Sequence, residues 1–368
     1  MERLRLTGSI KFKTPFLLGI SVALAICTSS LCRADQGETV SAIKGYRQSQ
    51  VGKMDAAAHS YVEHATAYEQ IIDKNGGDYN KAAINDGPAI LDLVARMQAD
   101  YKNLHMNGYE TVEGIAAGVK ELVKYDIYFD SGVPVDQSAT DNPSAPIDLK
   151  TASGETIDKN NGNLFHYVIE PTLWGAKGDY VKRLSSDASA HLHNIALLPR
   201  ADICVASARD SAVHADEFVA SCQGWQPTMD ECVGALVWMT PTFNTYFDDL
   251  RDSLYGPSGK YISESRVLDM RGIMGSLQLV YNAIRPQLEA KDPALAAQLA
   301  TEYQSIMHHI DETDRRDKAM RAQRLKLSKV EIEEMAEQAK RMSDQLAPQL
   351  EQVAALLGLK LPPKPFLG

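Results

Sequence analysis

Apolar residues at helical spacing dominate the second half of the chain. From Val267 to Leu288 they recur at intervals of three and four residues, which predicts a helix with one buried face. The pattern then stops at Asp292 and Pro293. Asp is a good helix cap and Pro is favoured at the first helical position, so the sequence predicts that a second helix begins there.

A third stripe ends the chain with signals at both of its ends. The sequence Ser-Lys-Val-Glu at Ser328–Glu331 is a capping box, in which the serine and the glutamate satisfy each other's backbone N–H groups. Apolar positions at helical spacing follow over residues 332–357, and Gly358 marks the end. This predicts a long C-terminal helix.

The first half shows the same periodicity. Apolar residues over 43–72 keep helical spacing up to the Gly76-Gly77 stop, and two more helices are predicted over 88–104 and 109–128. Alternation typical of strands is scarce. The sequence therefore predicts an all-α protein of two tandem helical bundles.

Two stretches interrupt the helical pattern and suggest the domain organisation. Residues 131–163 are rich in Pro, Gly, Ser and Asn, and a loop of that length is typical of a lid, an insertion or a disordered excursion. Residues 200–230 are predicted to be irregular and to cross between the bundles. We therefore expect an N-terminal bundle over 35–199 and a C-terminal bundle over 200–368.

The N-terminus has the layout of a secretory signal peptide. Basic residues precede a short apolar run and a small-residue exit, which predicts removal of residues 1–34 after Ala34 and a periplasmic mature protein without a transmembrane segment. This cut takes five basic and one acidic residue from totals of 38 and 48, leaving 33 and 47 and a charge of about −14. Nucleic acid is therefore not an expected partner.

Three cysteines remain in the mature chain: Cys204, Cys222 and Cys232. In an oxidising compartment two of them can form one disulfide and leave an odd thiol, and the sequence leaves the pairing open. Their spacing does not match a zinc cluster, so a structural role is expected.

The stretch LFHYVIEPTLWG, residues 164–175, is the first candidate for chemistry. His166 and Glu170 are four residues apart, so both lie on one face of a helix. Alone, such a pair is more often a salt bridge than a pair of metal ligands. Pro171 removes a helical hydrogen bond and clashes with the preceding turn, which favours a one-residue bulge there.

A second stretch, YETVEGIAAGVKEL at residues 109–122, strengthens the case. Glu110 and Glu113 share a helix face next to apolar positions, where two carboxylates repel each other unless a cation or protons neutralise them. If this helix packs against His166 and Glu170, three carboxylates and one imidazole converge. Such a set suits iron, zinc or manganese rather than copper(I), since no sulfur ligand takes part.

At these residues the chain resembles the EfeO and imelysin-like family of periplasmic iron-uptake proteins. The family's hallmarks are a His-x-x-Glu motif followed by Leu-Trp and an upstream Tyr-Glu-x-x-Glu segment. HYVIEPTLWG and YETVEGI stand in those places, and a third stretch beginning VLDMRGIMGS resembles the family's late helical pair. The resemblance covers roughly residues 40–359. One departure is that three residues, not two, separate the histidine from the glutamate.

The resemblance implies that Glu110, Glu113, His166 and Glu170 bind a metal ion between helices, with iron (Fe²⁺ or Fe³⁺) expected and zinc or manganese as alternatives. It also implies an aspartate after the Tyr-Glu-x-x-Glu helix. Asp130 is the nearest match and Asp126 the alternative, and either can equally cap a turn.

The function implied is a periplasmic binding protein that captures iron and passes it to a membrane iron permease or another uptake component. Two alternatives stay open: a metal-dependent peptidase of the imelysin type, and a protein that binds an acidic polysaccharide through the metal. The histidines of HSYVEH, residues 59–64, lack a partner segment in the sequence and are interpreted as a polar helix face.

Overall fold

The computed structural model describes residues 17–131, 147, 149–157, 162–175, 177–255 and 263–363. Side chains are described from residue 36 onward, except for 263–265. The predicted signal peptide, 1–34, therefore lies outside the described side chains, and parts of the predicted loop over 131–163 lie outside the described residues.

The fold is all-α, as predicted. The α-helices are α1 (Leu17–Lys74), α2 (Tyr79–Leu104), α3 (Glu110–Ala116), α4 (Val123–Asp126), α5 (Glu170–Leu173), α6 (Ser186–His191), α7 (Ala201–Gly224), α8 (Met229–Met239), α9 (Tyr246–Tyr255), α10 (Ser263–Glu289), α11 (Pro293–Ala322) and α12 (Lys329–Leu357). Two three-residue strands, β1 (Val181–Arg183) and β2 (Leu197–Pro199), pair antiparallel. Short 3₁₀ turns span Gly178–Tyr180 and Thr240–Asn244.

The helix ends follow the signals in the sequence. The Asp292 carboxylate accepts a hydrogen bond from the backbone N–H of Leu295 at 3.0 Å, and α11 begins at Pro293. Both hydrogen bonds of the Ser328–Glu331 capping box are present at the start of α12. Gly358 ends that helix with a φ of 68°, a left-handed conformation in which a Cβ atom is unfavourable.

Two predictions about helix extent were wrong. The helix predicted over 109–128 is broken between α3 and α4, at the place where Gly118 touches α8: a Cβ atom on Gly118 would lie 2.7 Å from the Cα atom of Ala235. Residues 200–230, predicted to be irregular, contain the 24-residue helix α7. Much of its buried face consists of Ala, Ser and Cys, which give only a weak apolar stripe.

The long helices α1 and α10 make the most extensive helix contacts in the fold. Helix α1 packs along α2 and α7, and α10 packs against α3 and α11, so residues from both halves of the chain share one apolar core. The division into bundles over 35–199 and 200–368 stays a prediction. In the part of the chain that the structure describes, no helix combines the length and the apolar character needed to cross a bilayer.

The described part of the 131–163 segment packs against the core. Ile147 and Leu149 are buried, and Lys150 pairs with Thr156 in an isolated antiparallel bridge. Cys204, Cys222 and Cys232 are all buried and are free thiols, so the expected disulfide is not formed among them.

Candidate metal centre

Three π-helical turns deliver side chains to one buried place. They span His105–Tyr109, Ile127–Ser131 and Phe165–Ile169, and each carries one residue of the centre: His105, Asp130 and His166. A π turn holds one more residue than an α turn, and such turns are frequent at functional sites. The bulge predicted before Pro171 is confirmed, because the third turn ends directly before α5, where that proline follows Glu170.

The structure brings all five predicted site residues into this centre, each no more than 7 % exposed: Glu110, Glu113, Asp130, His166 and Glu170. The His166 ring lies between two carboxylates, with Nδ1 at 2.7 Å from Glu170 Oε2 and Nε2 at 2.6 Å from Asp130 Oδ1. Of the two candidate aspartates, Asp130 thus reaches the histidine. Asp126 instead accepts hydrogen bonds from the hydroxyls of Tyr109 and Ser131, each at 2.7 Å.

Sequence reasoning missed three residues of the centre: His105, Arg266 and Asp269. His105 Nε2 lies 2.7 Å from Glu110 Oε1, 3.2 Å from Asp130 Oδ1 and 3.5 Å from Asp269 Oδ1. The π turn explains the first contact, since it hydrogen-bonds residues five apart and the Glu110 N–H donates to the His105 carbonyl. A histidine five residues before a buried glutamate was the available signal.

Arg266 and Asp269 come from α10, where they are three residues apart within an apolar stripe. Arg266 Nη2 lies 2.5 Å from Asp269 Oδ2, and the guanidinium also contacts the His166 ring. Its Nη1 atom lies 3.9 Å from Asp249 on α9, which is 36 % exposed. Arg266 therefore links the buried centre to a half-exposed carboxylate. The charged pair in an otherwise apolar face was the signal in the sequence.

Ligand atoms converge in three overlapping groups. The groups are His105, Asp130 and His166; His105, Glu110 and Asp269; and Glu110, Glu113 and Asp130. Within each group the donor atoms lie within 4.8 Å of one another, and all the residues are buried. These buried His, Asp and Glu groups could hold a metal ion.

Several of these atoms have no hydrogen-bond partner. They are His105 Nε2, both carboxylate oxygens of Glu110, Glu113 Oε2 and Asp269 Oδ1, whereas Asp269 Oδ2 is ion-paired with Arg266. A buried polar group without a partner costs about 1–3 kcal/mol, and more when it is charged. Short distances without hydrogen-bond geometry mean that lone pairs of several residues point into the same space, which is the arrangement that a cation stabilises.

The Tyr101 hydroxyl sets the orientation of the His105 ring. The Tyr101 hydroxyl donates to Glu170 Oε2 at 3.3 Å and lies 2.9 Å from His105 Nδ1, so Nδ1 carries the proton that the hydroxyl accepts. Metal-binding histidines are commonly fixed in this way. Similarly, the Tyr246 hydroxyl donates to Glu113 Oε1 at 3.1 Å. Burial opposes ionisation of His105, but Asp269 and Asp130 raise its pKa above the usual value, so a metal ion bound at Nε2 would displace a proton there.

Burial raises the pKa of three carboxylates of the centre, whereas the pKa of Asp130 shifts in the opposite direction. Burial, followed by the charges of Asp130 and Asp269, raises the pKa of Glu110 well above its usual value, and burial and Glu110 do the same for Glu113. Burial raises the pKa of Asp269 and of Asp126 to about 6. For Asp130, burial opposes ionisation, but His166, His105 and Arg266 together hold its pKa well below the usual range.

The donor set fits a metal ion in number, type and environment. Imidazole nitrogens and carboxylate oxygens are ligands for iron, zinc and manganese, and the atoms without partners are those that metal binding would satisfy. Compared with known proteins, the chain matches no family model and no curated protein. The resemblance to the EfeO and imelysin-like family therefore stays a prediction that rests on the motifs described above.

Proposed function

We propose that this chain is a periplasmic metal carrier, which holds a first-row transition-metal ion in the buried centre and passes it to a membrane permease. The observation that carries the proposal is the convergence of buried donors without hydrogen-bond partners on His105, Glu110, Glu113 and Asp269. A folded protein keeps such groups together at a cost, and a bound cation removes that cost.

The ligand types favour iron, with manganese and zinc as alternatives. His105 and His166 offer two imidazoles and the acids offer oxygen donors. This mixture of borderline and hard ligands suits Fe²⁺, Mn²⁺ and Zn²⁺, whereas Cu⁺ prefers sulfur. We favour iron among these metals because the chain resembles iron-uptake proteins. The permease and the periplasmic location rest on the same resemblance, and the location also follows from the predicted signal peptide.

Burial favours a carrier over the two other functions considered. A metallopeptidase must place a metal-bound water next to a peptide bond, and a polysaccharide bridged by metal must reach the ion as well. Every donor of the centre is at most 7 % exposed, so neither polymer reaches it in this conformation. A single ion requires only local opening.

The test is metal binding by the purified mature protein. Fe²⁺ under anaerobic conditions, Mn²⁺ and Zn²⁺ are titrated by calorimetry, and bound metal is measured by elemental analysis after desalting. His166→Ala and Glu170→Ala are expected to bind less metal than the wild type, whereas Glu121→Gln, which changes an exposed acid on the same segment as Glu110 and Glu113, should bind as much as the wild type. Unchanged stoichiometry in both alanine variants, with native circular dichroism, would rule out this centre. Peptide hydrolysis that both variants abolish would favour the peptidase instead.

A further inference from the structure

The centre contains more donors than one cation can use, and two of its three donor groups have only Asp130 in common. We propose that it binds two cations, one at a nitrogen-rich position formed by His105, Asp130 and His166, and one at an all-carboxylate position formed by Glu110, Glu113 and Asp130. Asp130 belongs to both sets and would bridge the ions. This inference rests on the proposed metal-binding function and specifies the class of site.

The grouping of the donor atoms supports two positions. Bonds of about 2.0–2.2 Å place two ligand atoms of one ion no more than about 4.4 Å apart. Among the described residues, no group of donors within 4.8 Å contains both Glu113 and a histidine. A cation held by the imidazole of His166 therefore leaves Glu113 without a metal bond.

The unpartnered atoms support a cation at the carboxylate position in particular. Neither oxygen of Glu110 accepts a hydrogen bond, and neither does Glu113 Oε2, although all three atoms are buried. An ion at the two histidines would satisfy His105 and Asp130 and would leave the Glu113 oxygen unsatisfied. A second ion satisfies it.

The charge balance leads to the same number. Five carboxylates meet in the centre, from Glu110, Glu113, Asp130, Glu170 and Asp269, and one permanent cation, Arg266, lies among them. One divalent ion together with Arg266 leaves two buried negative charges, whereas two divalent ions leave none. Uncompensated buried charge is strongly unfavourable, so the number of acids that the fold brings together matches two divalent ions better than one.

The two positions also differ in chemistry. The nitrogen-rich position suits Fe²⁺ or Zn²⁺, and the position made of oxygen atoms alone suits harder ions such as Mn²⁺. Mn²⁺ binds to both types of ligand and is paramagnetic, so it is the probe of choice. A shared carboxylate couples the spins of two Mn²⁺ ions, and two ions at separate sites lack that coupling.

One other cluster in the described structure must be controlled for. His59, in the HSYVEH stretch, lies 3.2 Å from Asp216 of α7 and 3.7 Å from Asp55, so α7 supplies the partner segment that the sequence did not reveal. His59 and Asp216 are exposed, and the three donor atoms lie within 4.8 Å of one another. An adventitious ion there would also raise the stoichiometry, and Asp216→Asn removes that possibility.

The experiment combines Mn²⁺ calorimetry with electron paramagnetic resonance on the full-length mature protein. We expect two Mn²⁺ ions and a spin-coupled signal in the wild type and in Asp216→Asn, and one ion with an uncoupled signal in Glu113→Gln. One ion in the wild type, lost in His166→Ala, would overturn the two-ion inference and leave the proposed carrier intact. No bound ion would overturn both. A second ion that disappears in Asp216→Asn would also refute the inference, and the wild-type stoichiometry decides even if a variant fails to fold.

Discussion

The substitution Glu110→Gln is expected to stabilise the metal-free protein and to weaken its response to metal. Glu110 is fully buried and its carboxylate oxygens have no hydrogen-bond partners. It shares groups of donors within 4.8 Å with Asp130 and with Asp269. Glutamine keeps the shape of the side chain and removes its charge, so repulsion is relieved and a metal ligand is lost in one step.

The magnitude follows from the spacing of the charges. Two unit charges 4.8 Å apart repel each other by about 3.5 kcal/mol at an effective dielectric constant of about 20. The buried amide of glutamine lacks partners and costs about 1–3 kcal/mol. Protonation of the centre, which the raised pKa of Glu110 favours, reduces the gain further. We expect a net stabilisation of about 1–2 kcal/mol at about pH 8, which is a rise in Tm of a few degrees.

The assay is thermal unfolding followed by circular dichroism, in EDTA and with excess Mn²⁺. Metal at about 100 times its Kd stabilises a protein by about 2.7 kcal/mol for each occupied position, so the wild type should gain about twice as much as Glu110→Gln, in which only the nitrogen-rich position keeps its ligands. The order of stability therefore reverses between the two buffers. Exposed Glu121→Gln serves as the matched control and should follow the wild type. A Glu110→Gln protein that melts below the wild type in EDTA, or keeps the full metal response, would refute the reasoning.

Two further predictions concern pH and packing. A carboxyl group whose pKa is raised by folding stabilises the protein below about pH 4, and this stability is lost as the pH rises through the pKa of the folded state, about 6 for Asp269. The rise in Tm caused by Mn²⁺ should therefore be larger at about pH 8 than at about pH 5.5. An equal rise at the two pH values would contradict these pKa shifts. The packing prediction concerns Gly272, where an added Cβ atom would lie 2.6 Å from the Glu110 Cβ atom. Gly272→Ala should push α3 away from α10 and destabilise the protein by about 1–3 kcal/mol. It should also weaken Mn²⁺ binding at least about tenfold. Gly275→Ala, whose nearest contact would be a methyl carbon 4.0 Å away, should retain wild-type binding, and equal effects of the two substitutions would show that the approach of α10 does not position Glu110.

Sequence periodicity predicted most of the long helices, and local signals predicted several of their ends. The stripe over residues 332–357, the capping box at Ser328 and the Asp292-Pro293 start all reflect local rules, and each is observed. Helix α7 was missed because small residues form much of its packed face. These residues allow close packing but do not produce a strong hydrophobic periodicity in the sequence. The break after Ala116 depends on contact with α8, which no local rule contains.

In the metal centre, too, local sequence signals predicted some residues, whereas others depend on contacts between distant parts of the chain. Glu110 and Glu113 stood out because acids in an apolar helical stretch need a neutralising partner, and the structure places them beside Asp130, which in turn contacts His166. His105 was missed because, in a regular α-helix, two residues five positions apart do not share a face. The π turn brings His105 and Glu110 together instead. Asp269 reaches the centre only through the packing of α10 against α3, a contact between residues more than 150 positions apart.

The most direct test of the central claim is an anomalous difference map from crystals of the protein grown with Mn²⁺ and measured on the high-energy side of the manganese absorption edge. We expect strong density within bonding distance of His105, Glu110 and Asp130, resolved into two peaks if the centre binds two ions. A map without density among these residues, or with density only beside His59 and Asp216 at the surface, would contradict it.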